Sequence, residues 1–478
     1  MVFSFYWLDY ETWGADPRRD RPCQFAGVRT DEALNPLGDP LVIYCKPSDD
    51  LLPQPEACMV TGITPQKALQ EGVNEADFIR RIHEVLSLPG TCGVGYNSIR
   101  FDDEFTRYTL YRNFYDPYGR EWQNGCSRWD IIDMVRLTHA LRPEGIEWPQ
   151  HESGVTSFRL EQLSAANGIQ HLSAHDALSD VYATIGLARL IKTRQPKLYD
   201  FVFQSRDKRV VADRLNLQQR QAVLHVSSMY PAELGCIAMV MPLAKHPTNP
   251  NGVIVYDLRH DPSPLLSLSA EQIHERLFTP TASLPEGVQR LPLKTVHLNK
   301  APVVVPMNTL TPAAAERWGI DTAEGERHRQ QLLAHEGLSE KLEAVHRMTD
   351  FEPVSDPDQS LYSGGFFSRE DRRRMDEIIA STPADLQRFP LVFDDPRLPE
   401  MLFRYRARNW PDSLSTDERV RWEEYRQARL LEPDGGGSIT LDDYLETLDR
   451  LESDAQLPAE KRALIPSLLA WAEQVAPV

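Results

Sequence analysis

The sequence predicts an α/β domain, then a small β-rich domain, then a helical one. Three observations predict it. Strand-like runs alternate with helical stretches over residues 1–192, short β runs punctuated by Gly and Pro follow over 197–350, and a charged helical pattern fills 352–478. At 478 residues the chain has room for about three domains.

In the first segment "VFSFYWLDY", "PLVIYCKP" and "TCGVGYN" read as strands and "EADFIRRIHEVLSL" as a helix. It closes on "HDALSDVYATIGLARLIK", where Leu178, Val181, Tyr182, Ile185 and Ala188 form one apolar helical face. "KTRQPK" (192–197) reads as a linker broken by Pro196. In the second segment "CIAMVMPLA", "NGVIVYDL" and "KTVHLNKAPVVVP" suggest a small β-barrel with helices attached. The third reads as helices at "SREDRRRMDEIIAS", "DERVRWEEYRQARLL", "TLDDYLETLDRL" and "KRALIPSLLAWAEQV". No repeat of solenoid period is visible.

Composition is that of a folded soluble chain, 41% hydrophobic and 26% charged. No apolar run reaches the ~18 residues of a membrane helix, and the N-terminus lacks a signal peptide's basic and small-residue features. Six cysteines without a CxxC pair fit reduced thiols and a cytoplasmic location. A net charge of −18 argues against coating nucleic acid through bulk positive charge, though not against a local basic groove.

"FYWLDYETWG" carries Asp9 and Glu11 one residue apart on one face of an otherwise apolar strand. Two carboxylates there repel each other and resist desolvation unless cations join them, and hard oxygen ligands suit Mg²⁺. An acidic pair past the strand end, in solvent, is the plainer reading of these two alone. Asp102, Asp103 and Glu104 look like a helix's first turn, where acids complement the helix dipole. In "SAHDALSD" His175 precedes a helix and Asp180 follows five residues later, while Asp176 or Ser173 is a candidate cap.

Taken together, Asp-x-Glu on an early strand, a later Asp, and His-x4-Asp on a late helix resemble the DEDDh exonuclease superfamily. "LDYETWG", "RPCQFAGVRTD", "GYNSIRFDDEFTRYTLYRNFYDPY", "SRWDIIDMVRL", "AHDALSDVYATI", "HLNKAP", "YSGGFFS" and "FRYRARNWP" resemble the bacterial exonuclease I family across essentially the whole chain. That resemblance implies an RNase H-like α/β exonuclease core with a mixed sheet flanked by helices (1–192), an SH3-like β-barrel domain (197–350) and a helical C-terminal domain (352–478). It implies processive 3′→5′ hydrolysis of single-stranded DNA to nucleoside 5′-monophosphates, in DNA repair and recombination. The metal ligands would be Asp9, Glu11, Asp102 and Asp180, holding two Mg²⁺ ions with Mn²⁺ able to substitute, and His175 would be the general base.

The same resemblance assigns substrate contacts to Glu11, Arg107, Tyr118, Trp122, Arg136 and Arg159. Basic side chains on phosphates, interleaved with rings that stack bases, are what sequence-tolerant single-strand binding needs. Each has a structural alternative: Tyr118 at a turn, Trp122 in a core, Arg159 in a surface ion pair. The resemblance further implies a monomeric clamp and docking of the acidic tail of single-stranded-DNA-binding protein. For that docking Arg142 is retained, while Thr311 replaces a basic residue; Lys245 likewise stands where family members can carry a ring. "FRYRARNWP" is left with three roles: lining a DNA channel, binding an acidic tail, or pairing with acids of the helical domain. An RNA-trimming exonuclease and an inactive single-strand-binding scaffold are the competing functions.

Overall fold

β1 (Ser4–Thr12) organises the first sheet of this computed structural model, which describes residues 3–171, 176–349 and 354–477. The sheet has the order β3-β2-β1-β4-β5, with β2 at Pro22–Thr30, β3 at Leu41–Tyr44, β4 at Thr91–Gly95 and β5 at Ser127–Asp130. β1 runs antiparallel to β2 and parallel to β4, so the sheet is mixed. β1 is apolar on both sides because it is covered on both faces. Trp7 is fully buried, and its indole N–H donates to the Thr30 hydroxyl at 2.9 Å.

The two partners of β1 do not end together. Pairing with β4 runs from Ser4↔Thr91 to Trp7↔Val94, whereas pairing with β2 continues to Thr12, with a register shift between Glu11 and Thr12. Asp9 and Glu11 therefore lie where β1 has outrun its parallel neighbour. Such a crevice at the carboxyl end of parallel strands is where α/β folds place ligands.

The described residues form two compact units. The first comprises 1–127, 171–185 and 353–478, so the C-terminal helices share a unit with the β1 sheet. Trp13, Leu51, Cys58 and Met59 pack with Tyr444, Leu448, Leu468 and Trp471 in one core cluster. Tyr108, Tyr111 and Phe114 pack with Met375, Ile378, Met401 and Leu402 in another.

A buried ion network runs beside these clusters. Asp50 lies 3.3 Å from Arg21, 3.0 Å from Arg408 and 3.5 Å from Arg429. Glu75 pairs with Arg112 at 3.0 Å, and Asp358 with Arg404 at 3.2 Å and Arg408 at 2.8 Å. This settles the role of "FRYRARNWP". Its arginines lie in the helix Leu398–Asn409, and Arg404, Arg406 and Arg408 are spent on Glu400, Asp356, Asp358, Glu418 and Asp50. The cluster is structural, and one of its partners, Asp50, belongs to the N-terminal part of the chain.

The second unit comprises 128–170 and 186–352. Its five-stranded sheet has the order β10-β6-β7-β8-β9 and every pairing is antiparallel. The strands are β6 (Val223–Val226), β7 (Ile237–Lys245), β8 (Gly252–Asp257), β9 (Leu293–His297) and β10 (Val303–Pro306). Val223, Val240, Val253, Val255, Val296 and Val304 fill its core.

Residues 192–197 are not a linker. The helix Ala177–Arg194 is followed after Gln195 by the helix Pro196–Gln204. Pro196 starts that helix, where its missing N–H costs nothing, so it marks a beginning as well as a stop. No helix among the described residues is long and apolar enough to cross a membrane, and the six cysteines are buried free thiols.

Candidate metal centre and strand-contact residues

The i, i+2 spacing on β1 turns Asp9 and Glu11 to one side, and the helix Ala177–Arg194 supplies Asp180 from its first turn. These three carboxylates each offer an oxygen within 4.8 Å of the others. Burial pushes the Asp9 carboxyl well above its usual range, reinforced by the charges of Asp102, Glu11, Asp180 and Asp176. Burial likewise raises Glu11 to about 9, with Asp180, Asp102 and Asp176 adding to it. The donor set is all carboxylate oxygen, which fits a hard divalent cation. A cation there would relieve both the repulsion and the desolvation that raise these groups.

Asp102 adjoins this triad, its charge acting on both Asp9 and Glu11. It opens the helix Asp102–Arg112, is 3% exposed, and its Oδ1 accepts the Tyr10 N–H at 3.0 Å. That N–H belongs to the residue between Asp9 and Glu11, so Asp102 holds the ligand-bearing stretch of β1 as well as contributing charge. Behind it the Thr106 hydroxyl lies 3.0 Å from the Tyr10 hydroxyl.

His175 lies outside the described residues, as does Ser173. Asp176 accepts the Ser179 N–H at 3.2 Å, the capping role open to it from its position. His171, which the sequence does not single out, brings Nε2 onto the Asp180 carboxylate. A second histidine four residues before His175 was the only signal for it.

A cleft of about 580 Å³ opens beside Glu11, lined among others by Thr12, Gly14, Gln54, Phe101 and Ser438. Gly14 is required there, because a Cβ would come within 2.3 Å of the Asp20 carboxylate. Phe101 and Ser438 come from remote parts of the chain, and no local pattern announces either.

The residues assigned to the strand differ in availability. Trp122 is 67% exposed. Arg107 is buried, with Nε and Nη2 on the two oxygens of Glu121 at 2.7 and 2.8 Å and Nη1 on Glu104 at 2.9 Å. Its guanidinium also lies 5.3 Å from the centre of the Tyr118 ring. In the second unit Arg136 donates to Asp133 at 2.6 Å and lies over the Phe158 ring. Arg159 precedes the helix Leu160–Ala166 at its N-cap position without a side-chain capping bond, is exposed, and has no ion-pair partner among the described residues. In the same unit Arg142 donates to the Thr309 carbonyl at 3.2 Å, and Thr311 caps the helix Pro312–Arg317.

The chain matches three domain families in succession: Exonuclease at residues 6–188, Exonuclease I SH3-like domain at 206–348 and Exonuclease I C-terminal domain at 355–475. It is 45% identical over 473 residues to Exodeoxyribonuclease I of Escherichia coli strain K12, covering 99% of this chain and 98% of that one. The structure of a moderately thermophilic Exonuclease I from Methylocaldum szegediense superposes with a TM-score of 0.95 at 54% identity, covering 99% of this chain and all of that one. The zinc-bound complex of E. coli Exonuclease I with single-stranded DNA gives a TM-score of 0.94 at 44% identity, covering 99% and 100%. This chain belongs to the exodeoxyribonuclease I family.

Proposed function

We propose that this protein is a magnesium-dependent exonuclease that degrades single-stranded DNA processively from its 3′ end, as a cytoplasmic monomer, and releases nucleoside 5′-monophosphates in DNA repair and recombination. The observation that carries this reading is the convergence of Asp9, Glu11 and Asp180 within 4.8 Å in a chain that matches the family over 99% of its length.

Asp9, Glu11 and Asp180, with Asp102 adjoining, are the groups to hold two Mg²⁺, with Mn²⁺ as a substitute. Bound divalent cations would neutralise the scissile phosphate and stabilise the attacking and leaving oxygens. Tyr10, held by Asp102, fixes the spacing of the two β1 carboxylates. Glu11 borders the cleft that would receive the terminal nucleotide. His175 takes a proton from the attacking water; an unperturbed imidazole pKa near ~6.5 suits that transfer at neutral pH. Exposed Trp122 and Arg159, with Tyr118, Arg107 and Arg136, grip bases and phosphates along the strand. The acidic tail of single-stranded-DNA-binding protein belongs to the same proposal as a partner, through Arg142.

The test is incubation of 3′- and 5′-labelled DNA and RNA strands with Mg²⁺ or EDTA. Mononucleotide release from the 3′ label of DNA, abolished by EDTA, is expected. Preferential trimming of RNA would make this an RNA exonuclease, and strand binding without hydrolysis would make it a scaffold.

A further inference from the structure

Tyr118 and Trp122 bracket a short segment whose backbone is closed locally, with Asp116 accepting the N–H groups of Tyr118 and Gly119 at 2.9 and 3.2 Å. Between them is a single 3-10 turn, Gly119–Glu121, and Trp122 is exposed. The side chain in the middle of this turn points the other way. Arg120 is 3% exposed, and its Nη2 donates to Asp103 Oδ1 at 2.6 Å. Asp103 is itself 3% exposed and sits in the first turn of the Asp102–Arg112 helix. One helical turn further on, the polarity is reversed. There the helix supplies Arg107 and the segment supplies Glu121, joined by two hydrogen bonds of 2.7 and 2.8 Å. The segment is thus tied to one helix by two crossed ion pairs.

That helix also touches the metal cluster. Its Asp102 accepts the N–H of Tyr10, the residue between Asp9 and Glu11. A charge pair this buried holds geometry firmly, because neither partner can find water in its place.

We propose that Arg120 is a positioning residue: through Asp103 it fixes the Tyr118–Trp122 segment to the first turn of the Asp102–Arg112 helix, so that strand grip and metal carboxylates keep one register. The inference rests on the nuclease reading for what the segment grips. Arg120 and Asp103, both buried and paired with each other, act on the strand through the segment they hold.

The test uses the full chain with Arg120→Met/Asp103→Leu, which removes both charges of the pair together, and with Arg120→Lys, which keeps the charge without the planar donor fork. Binding of a fluorescein-labelled twelve-nucleotide thymidine strand is followed by anisotropy in EDTA. Hydrolysis of a long strand and of the p-nitrophenyl ester of thymidine 5′-monophosphate is followed in Mg²⁺. The ester carries one nucleotide and needs no grip upstream. The double variant is expected to bind the labelled strand about ten-fold more weakly and to show a KM for long DNA raised by about the same factor. Its kcat on the ester should stay within about two-fold of the parent. Arg120→Lys should fall between the two. Strand affinity within about two-fold of the parent in the double variant would overturn the proposal, as would equal losses on ester and strand. Should the double variant fail to fold, parent-like strand affinity in Arg120→Lys would overturn it instead. If the parent itself hydrolyses neither substrate, the nuclease reading fails, while binding in EDTA still tests the tie.

Discussion

Two groups of buried or half-buried acids lie in the first unit, and they behave in opposite ways. Around Asp50, Glu75 and Asp358, burial opposes ionisation, but arginines outweigh it. Arg408, Arg21 and Arg429 hold Asp50 well below the usual carboxylate range, and Arg112 and Arg21 bring Glu75 down to about 2. Around Asp9 and Glu11 burial acts with the neighbouring charges instead of against them, and Glu11 rises to about 9. The same residue types are completed internally in one place and left to be completed from outside in the other. A buried carboxylate whose counter-charge the fold supplies is architecture; one whose counter-charge the fold withholds is a site for cations.

The largest way to break this contrast is to remove the fold's own cations. A chain ending at residue 350 loses Arg404, Arg408 and Arg429 together with the Met375–Tyr405 and Tyr444–Val475 sides of two core clusters. In the 1–350 fragment the first unit is expected to be unfolded, read as fast amide exchange over residues 3–127, while the second unit keeps its own core, so the fragment would not report on processivity. Slow exchange over 3–127 in that fragment would show that the C-terminal helices do not complete the first unit.

Single substitutions sharpen the same comparison. Asp50→Asn leaves Arg21, Arg408 and Arg429 facing a neutral group, and should cost about 3–5 kcal/mol of stability in urea unfolding. Asp9→Asn removes one of several mutually repelling charges. It should leave metal-free stability equal or higher while lowering single-strand hydrolysis by about a thousand-fold, as expected for groups that stabilise transition-state charge. Equal destabilisation by the two substitutions would erase the distinction.

The smallest effect is the dependence of stability on pH, and its sign differs between the groups. Glu75, with a folded pKa of about 2 against an ordinary 4.5, contributes stability that is present above about 4.5 and lost as pH falls through about 2. Glu11, raised from 4.5 to about 9, binds its proton more tightly folded than unfolded. Its contribution is intact below about 4.5 and is lost as pH rises toward about 9. In EDTA the melting temperature should therefore decline on both sides, and Mg²⁺ should restore only the alkaline side. Restoration on the acid side, or none on the alkaline side, would reverse the assignment.

Much of this was legible in the sequence wherever the signal was local. The alternation in "FYWLDYETWG" gives β1 and puts Asp9 and Glu11 on one face, and the apolar stripe of "HDALSDVYATIGLARLIK" gives the helix that carries Asp180. β2 and β6 were not singled out, since "PCQFAGVRT" is buried throughout without alternating and "VLHV" is only four residues long. What depended on remote partners was not readable. Arg408 finds Asp50 across more than three hundred residues, so a basic-aromatic string kept three roles open until its acids were located. Arg107 meets Glu121 through an irregular turn that no periodicity describes. The break at Pro196 failed for a different reason, because proline ends one helix and begins another with the same chemistry.

The central claim is that the fold leaves Asp9 and Glu11, beside Asp180, for cations to complete. Titration of Mn²⁺ into the metal-free protein, read by the loss of its free-ion electron paramagnetic resonance signal, measures this directly. Binding by the parent chain that is abolished in Asp9→Asn and kept in Asp358→Asn is the predicted result. Equal Mn²⁺ binding by the parent and Asp9→Asn would contradict it.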